Sequence, residues 1–319
     1  MPQDGRLTLK VRDRLVDFRV SIIPVKREFE KVTLRIIDKS VTIKSISDLR
    51  LPPNQQNIFL DALTQDKGLI LVTGPTGSGK SSTLYALLNQ LNNGSMNIQT
   101  IEDPIEQELE GVNQTATNNQ IGLNFGEMLK RIMRVDPDVI MVGEIRDLET
   151  AEAAVQASLT GHLVFSTLHT NDAIRSISRM HNMGVESYLL SDSLLLLQAQ
   201  RLVRVLCRCA GTMPMTDDHF TLFEKQRIDV PPTTTTLSLP SGCPECNNSG
   251  YKGRVAVMEV IPVGEGLREM ISRKAQFAEI TEYIQKDPNL FTMYQEGLKR
   301  VVQQTSTLEE ITPLRAAFS

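Results

Sequence analysis

The sequence predicts an α/β protein built on a parallel sheet, and three observations lead to that fold class. Short apolar segments typical of buried strands alternate with helical segments between residues 55 and 206. A glycine-rich turn follows the first of these apolar segments, and alternating β-type runs precede them at residues 6–43. The 319 residues are enough for about two domains with a sizeable core.

The first region alternates apolar and polar side chains, which predicts a small antiparallel sheet with one face towards water. Its expected strands lie at Leu7–Val11, Leu15–Val20 and Val32–Ile37. Leu51-Pro52-Pro53-Asn54 marks a linker or helix entry, after which the pattern changes. The strands of the parallel sheet are expected at Leu69–Thr73, Asn97–Ile101, Asp138–Val142 and His162–Thr167.

The last third of the chain changes character twice. The apolar stretch Leu189–Leu197 is interrupted by polar residues and is too short to span a bilayer, so it predicts a buried helix. Residues rich in Cys, Pro, Thr and Gly predict loops over 207–250, and amphipathic helix returns at 264–319. The domain boundaries expected from these changes are 1–48, 49–206, 207–250 and 251–319.

Composition narrows the class of protein. The chain is 40% apolar and 23% charged, as is ordinary for a soluble globular protein. Its net charge of −4 gives no electrostatic support for a nucleic-acid substrate. The first residues lack a basic and apolar leader, and the four cysteines are bunched at 207–246. A reducing compartment, the cytosol, is therefore expected.

The glycine-rich turn is a complete phosphate-binding loop (P-loop), with the pattern G-x-x-x-x-G-K-[ST] at Gly74–Ser81. Its backbone N–H groups would face phosphate oxygens, Lys80 would reach the β- and γ-phosphates, and the Ser81 hydroxyl would hold Mg²⁺. The preceding strand and following helix favour this interpretation over a chance match. The residues expected to bind ATP are Gly74, Pro75, Thr76, Gly77, Ser78, Gly79, Lys80, Ser81 and Ser82.

Three later segments place polar side chains at strand ends, where open α/β sheets bind ligands. Glu144 ends an apolar strand and would lie near Mg²⁺ or a water attacking the γ-phosphate; a solvated strand terminus is the alternative. Glu102 and Asp103 end the strand before Pro104, and one of these acids would orient or deprotonate that water, unless both belong to an ordinary acidic turn. His169 follows a further strand, either as a γ-phosphate sensor or as a satisfied capping residue.

In this order, the P-loop, Thr100–Glu106, Asp138–Asp147 and Gly161–Asn171 resemble the Walker A, Asp box, Walker B and His box of the type II secretion and type IV pilus motor ATPases. The match continues beyond these boxes and covers nearly the whole chain. The resemblance implies a RecA-like P-loop ATPase core, a small N-terminal α+β (PAS-like) sheet domain, a cysteine-knuckle insertion and a helical C-terminus.

The resemblance also implies roles for individual residues. Glu102 would activate water, Glu144 would lie near Mg²⁺, and His169 would stabilise the γ-phosphate region with support from His162. The strands around Arg19 and Arg35 resemble those that supply charge-stabilising arginines over the nucleotide, in the same subunit or a neighbour. From the residues alone, two exposed strand arginines are the alternative.

Four soft ligands in two pairs, Cys207-Arg208-Cys209 and Cys243-Pro244-Glu245-Cys246, indicate a structural Zn²⁺ site. The second pair has the usual knuckle spacing. The first has one intervening residue where the family normally has two, which leaves its part in the site open. Buried unpaired thiols are the alternative.

The function expected from the resemblance is that of a cytoplasmic ATPase motor powering type IV pilus assembly or type II secretion pseudopilus extension. The expected partners are further copies of the chain, in a homohexamer, and inner-membrane platform proteins. Neither nucleic acid nor direct membrane insertion is expected; attachment to the inner membrane would be peripheral. A pilus-retraction ATPase and a nucleotide-gated scaffold subunit with little turnover are the alternatives.

Overall fold

The computed structural model describes residues 3–11, 14–26, 29–37 and 45–318. The chain divides into two compact units, residues 1–43 and 44–319. The strands are β1 (Gln3–Val11), β2 (Arg14–Lys26), β3 (Phe29–Ile37), β4 (Gly68–Thr73), β5 (Ile98–Glu102), β6 (Asn113–Ala116), β7 (Val139–Val142), β8 (Leu163–Leu168), β9 (Leu194–Leu206), β10 (Gly211–Pro214), β11 (Thr236–Leu239) and β12 (Tyr251–Pro262). The helices are α1 (Pro53–Leu63), α2 (Lys80–Leu91), α3 (Phe125–Ile132), α4 (Leu148–Leu159), α5 (Arg175–Met183), α6 (Ser187–Ser193), α7 (Asp217–Lys225), α8 (Glu265–Ser272), α9 (Phe277–Lys286), α10 (Met293–Val302) and α11 (Leu308–Ile311).

The first unit contains a three-stranded antiparallel sheet in the order β1-β2-β3. The predicted N-terminal antiparallel sheet is therefore confirmed. Successive side chains of a strand point to opposite faces. One face carries the apolar row Leu7, Phe18 and Ile36, while Arg19 and Arg35 lie directly opposite one another on the other face.

The second unit is built on a seven-stranded sheet in the order β12-β9-β4-β8-β7-β5-β6. Six of these strands are parallel to one another, namely β9, β4, β8, β7, β5 and β6, and β12 runs antiparallel along β9. The α/β fold is confirmed. Each of the four strands predicted for the parallel sheet lies within one residue of β4, β5, β7 or β8 at both ends.

Every residue of the central strands β4 and β8 is buried. This is the pattern expected of parallel strands that are covered on both faces, and it explains their continuous apolar sequences. The sheet keeps the carboxyl ends of these strands at one edge, where the P-loop begins. In the part of the chain that the structure describes, no helix combines the length and the apolar composition needed to cross a lipid bilayer.

The helix predicted over Leu189–Leu197 is wrong in its second half, because α6 ends at Ser193 and β9 begins at Leu194. A continuous apolar run does not distinguish a buried helix from a buried strand by its periodicity. The predicted loop region 207–250 also contains the β10–β11 pair and α7. Strand β12 was not expected from the sequence; it pairs along β9 and extends the sheet beyond the nucleotide-binding motif.

Candidate active site and metal centre

The P-loop connects β4 to α2. Gly74 has a φ of 144°, and a Cβ atom there would lie 2.5 Å from the carbonyl oxygen of Gln200, so a side chain is excluded. The Lys80 ammonium donates hydrogen bonds to the carbonyl oxygens of Gly74, at 2.8 Å, and Pro75, at 3.1 Å. Burial lowers the pKa of Lys80, although the charges of Glu144 and Glu106 oppose this shift.

Gln200, on β9, braces the P-loop from the neighbouring strand. Its side-chain amide donates to the carbonyl oxygen of Ser78 at 2.6 Å, and its oxygen accepts from the Thr83 hydroxyl at 2.8 Å. No role was predicted for Gln200 from the sequence. Its signal was a pair of glutamines, Gln198 and Gln200, at strand spacing within an otherwise apolar run. Both are buried, which requires hydrogen-bond partners.

The register of the sheet brings the predicted acidic and histidine residues to the edge that carries the P-loop. Thr73, the last residue of β4, lies beside Leu168 on β8, so His169 follows beside Gly74. Val142 lies beside Ser166, and Ile101 beside Val142, which places Glu144 just beyond the end of β7 and Glu102 at the last position of β5. Parallel strands therefore align three of the predicted side chains with the phosphate-binding loop.

Glu144 is nearly buried and makes two polar contacts at this edge. Its Oε2 lies 3.3 Å from Nε2 of His169, and its Oε1 contacts the guanidinium of Arg146. The Glu144 hydrogen bond is the largest cause raising the pKa of Arg146, and the charge of Asp103 acts in the same direction. No role was predicted for Arg146, although it lies within the Asp138–Asp147 segment, two residues after Glu144.

Glu102 is 4% exposed and accepts three hydrogen bonds. Its Oε1 accepts from the Thr100 hydroxyl at 2.7 Å and the Gln114 amide at 2.9 Å, and its Oε2 accepts from the Tyr85 hydroxyl. Burial and the Glu102 charge raise the pKa of Tyr85, which keeps it a donor. A carboxylate has about four acceptor positions, so three donors fix its orientation and leave one position.

Of the remaining predicted residues, His162 lies at the opposite end of β8, and Arg19 and Arg35 belong to the first unit. His162 precedes β8 and bonds the Ala157 carbonyl at 2.8 Å, whereas His169 follows the same strand. Seven strand residues correspond to roughly 20 Å, so the expected support of His169 by His162 is not observed. Arg19 and Arg35 are exposed on the sheet of the first unit.

The four cysteines come together despite the short spacing of the first pair. All four Sγ atoms lie within 4.8 Å of one another. Sγ–Sγ distances are 3.8 Å for Cys207–Cys243, 3.8 Å for Cys209–Cys246 and 3.7 Å for Cys243–Cys246. Four thiolates around a tetrahedral ion at about 2.3 Å would be about 3.8 Å apart, so the cluster fits one such ion.

The loops around the cysteines also suit a thiolate cluster. Burial raises the pKa of the Cys246 thiol, but hydrogen bonds from the N–H groups of Cys243 and Gly250, each 3.3 Å from Sγ, and from the thiols of Cys243 and Cys209 together lower that pKa to about 6. Burial and its thiol neighbours raise the pKa of Cys209 to about 12, so among these groups it is Cys246 that is stabilised as a thiolate. Gly250 has a φ of 76°, and a Cβ atom there would lie 2.5 Å from the Ser241 carbonyl oxygen. Nη2 of Arg208 donates to both carboxylate oxygens of Glu245, each at 2.8 Å, and this pair links the two cysteine loops.

Comparison with known proteins agrees with this architecture. The sequence model of the family described as "Type II/IV secretion system protein" matches residues 1–313. This chain belongs to that family. The type II secretion system protein E of Aeromonas hydrophila is 45% identical over 98% of the chain, which spans 61% of that relative. The type IV pilus assembly ATPase PilB of Myxococcus xanthus is 43% identical over 98% of the chain and 55% of its own length.

A solved structure of a pilus retraction motor, PilT with bound ADP, is 29% identical to this family member. The match has a TM-score of 0.70 and covers 98% of this chain and 77% of that one. The chain thus spans about three fifths of the length of the protein E relatives and a larger share of PilT. Both comparisons include the sheet edge and the P-loop described above, since the match extends over nearly the whole chain.

Proposed function

We propose that this family member binds ATP at residues 74–82 and hydrolyses it to power type IV pilus assembly or type II secretion pseudopilus extension. The observation that supports this most strongly is the alignment of the P-loop with Glu102, Glu144 and His169 at one sheet edge. The names of the relatives, a type II secretion system protein E and a pilus assembly ATPase, point to the same process.

The phosphate end of ATP is assigned to the P-loop backbone and to Lys80. Lys80 is held by two carbonyl oxygens of its own loop, and phosphate oxygens are stronger acceptors for an ammonium group than carbonyls. Ser78 supports a phosphate at this position, because its buried hydroxyl has no hydrogen-bond partner among the described residues. Mg²⁺ prefers oxygen ligands, and the Ser81 hydroxyl and Glu144 carboxylate are assigned to it.

Hydrolysis requires a water directed at the γ-phosphorus, and Glu102 is assigned to orient and deprotonate it. Its three donors hold the carboxylate in one rotamer and leave one acceptor position for that water. His169, paired with Glu144, is assigned to the γ-phosphate. Arg19 and Arg35 are assigned to charge stabilisation; like charges directly opposite on a sheet repel, and an anion would relieve that repulsion.

Zn²⁺ is assigned to Cys207, Cys209, Cys243 and Cys246, as a structural ion. Four protein thiolates fill a tetrahedral shell and leave no position for a substrate. The domain organisation that we propose combines a small N-terminal sheet domain, an ATPase core, the cysteine insertion and a C-terminal region. The assembly is proposed to be a cytoplasmic homohexamer that is peripheral to the inner membrane and acts on platform proteins there.

A pilus-retraction ATPase is the second candidate, since the PilT structure has a similar fold. The tetracysteine cluster favours the assembly and secretion branch, because retraction motors that resemble this chain usually lack it. A nucleotide-gated scaffold with little turnover is a third candidate. The buried, fully oriented carboxylate of Glu102 disfavours it, since such a group costs stability to bury and serves no purpose in binding alone.

The test separates binding from hydrolysis in concentrated, assembled protein. We expect Lys80→Ala to lose ATP binding, and Glu102→Gln to bind ATP like the wild type while phosphate release falls at least about 100-fold. Arg273→Ala, which removes an exposed arginine paired with Glu279, is the control and should match the wild type. Wild-type phosphate release by Glu102→Gln would overturn the assignment, and slow release by the wild type itself would favour the scaffold.

A further inference from the structure

Arg201 connects two strands that are not neighbours. It lies on β9, and its Nη2 donates a hydrogen bond to Oδ1 of Asn171, which follows β8, at 3.0 Å. In the sheet, β4 separates β9 from β8, so these strands lie roughly 10 Å apart. The Arg201–Asn171 bond therefore passes beyond the carboxyl end of β4, where the P-loop begins.

The guanidinium of Arg201 is partly buried, yet among the described residues it has neither a full set of hydrogen-bond partners nor a negatively charged partner. Its Nη1 is buried and has no hydrogen-bond partner among the described residues. Asn171 is neutral, and within residues 45–318 no carboxylate forms an ion pair with Arg201. A buried, unpaired donor on a charged group is unfavourable unless a ligand completes it.

Arg201 also lies close enough to Lys80 for the two charges to interact. Burial is the main cause lowering the pKa of Lys80, and the charge of Arg201 adds to it. Burial lowers the pKa of Arg201 as well. Two partly buried cations beside the P-loop repel each other, and a polyanion bound between them would relieve the repulsion and supply the missing hydrogen bond.

We propose that Arg201 is a second phosphate-binding cation of this site, which contacts the γ-phosphate of the bound nucleoside triphosphate and is positioned for it by Asn171. The proposal rests on the proposed function of the P-loop as the ATP site. A guanidinium is suited to this role because it donates two parallel hydrogen bonds to phosphate oxygens, which a lysine cannot do. Since ADP has no γ-phosphate, Arg201 would distinguish ATP from ADP.

A bracing role between β8 and β9 is the competing explanation, and it makes a different prediction. If Arg201 only linked β8 to β9, its loss would make the P-loop less ordered whichever nucleotide is bound, so the affinities for ATP and ADP would fall together. Loss of a γ-phosphate contact would weaken the triphosphate alone. The ratio of the two affinities therefore distinguishes the explanations without any measurement of turnover.

The experiment measures equilibrium binding of fluorescent ATPγS and fluorescent ADP, each with Mg²⁺, to the full chain. We expect Arg201→Ala to weaken ATPγS at least about tenfold and ADP less than about threefold, the size of one charge-assisted contact. Arg201→Lys keeps the charge but loses the two-bond geometry, so it should fall between these values. Arg273→Ala, the exposed control, should bind both nucleotides like the wild type.

The Lys80→Ala variant distinguishes failure of the Arg201 proposal from failure of the proposed ATP site. If Lys80→Ala loses both nucleotides while Arg201→Ala binds both normally, or loses both equally, the γ-phosphate assignment of Arg201 is overturned and the P-loop site stands. If Lys80→Ala also binds both normally, the proposed ATP site itself fails. If Arg201→Ala does not fold, Arg201→Lys decides, and equal losses of the two nucleotides would overturn the proposal.

Discussion

Tyr85→Phe tests the buried network that orients Glu102. The substitution removes one hydroxyl group and leaves the ring, which is 3% exposed, in place. The lost bond is donated to a buried carboxylate, and such bonds contribute about 1.5–3 kcal/mol to the free energy of unfolding. For a unit of this size, with about 2–4 °C per kcal/mol, the melting temperature should fall by roughly 3–12 °C.

The assay is thermal or urea unfolding of four proteins: wild type, Tyr85→Phe, Glu102→Gln and the double variant. In the Glu102→Gln background the tyrosine donates to a neutral amide oxygen, so Tyr85→Phe should cost about 1 kcal/mol less than in the wild type. An unchanged melting temperature, or the same cost in both backgrounds, would refute the conclusion that Tyr85 holds the Glu102 carboxylate.

Three further predictions concern the metal centre and Glu259, a buried acid on β12 that interacts with the charge of the buried Asp172. Cys246→Ser should reduce bound zinc from about one ion per chain to a small fraction in protein purified without chelator, while ATP binding persists; full zinc content would contradict the tetrathiolate site. Gly250→Ala must adopt a φ of 76° and clash with a carbonyl, so unfolding should become easier by about 1–3 kcal/mol, and wild-type stability would contradict the geometry. Burial and the charge of Asp172 raise the pKa of Glu259 to about 8, so its protonated form stabilises the fold below the unfolded-state pKa and this contribution is lost as pH rises towards 8. Glu259→Gln should therefore flatten the fall in stability between pH 6 and pH 8 by up to about 1 kcal/mol per pH unit, and parallel urea-unfolding profiles would contradict this.

The parallel strands were predictable because their sequences satisfy two constraints at once. Leu69–Thr73 and Asp138–Val142 are short apolar runs that must be covered on both faces, and each is followed by a residue type that ends a strand. The P-loop added a fixed point, since its motif requires a strand before it and a helix after it. These local signals were enough to predict that Glu102, Glu144 and His169 lie at one edge of the sheet.

The secondary structure expected from the sequence was wrong or missing where a segment is buried on both faces, because such a segment shows no clear periodicity. Leu194–Leu206 continues directly from α6, and its first residues are apolar on both faces, so neither a helical nor a strand period is visible. Strand β12 was also missed; it places the charged residue Glu259 in a buried position, where charged side chains are rare.

Contacts between distant segments could not be predicted from the sequence. Tyr85 reaches Glu102 from the helix after the P-loop, and Arg201 reaches Asn171 across β4. The resemblance implied that His162 supports His169, with which it shares a motif. The six-residue strand β8 instead places the two histidines at its opposite ends. The four cysteines cluster as expected, despite the unusual spacing of the first pair. The β10–β11 region folds back and brings Cys207 close to Cys243.

The central claim is that one sheet edge binds the phosphates of ATP and carries the groups that act on the γ-phosphate. An experimental structure with Mg²⁺ and a non-hydrolysable ATP analogue tests it most directly. We expect the β- and γ-phosphates within about 2.7–3.2 Å of Lys80 and of P-loop N–H groups, with Glu144 and His169 beside the γ-phosphate and a water between it and Glu102. A nucleotide bound elsewhere, or a γ-phosphate remote from Glu102, Glu144 and His169, would contradict the account.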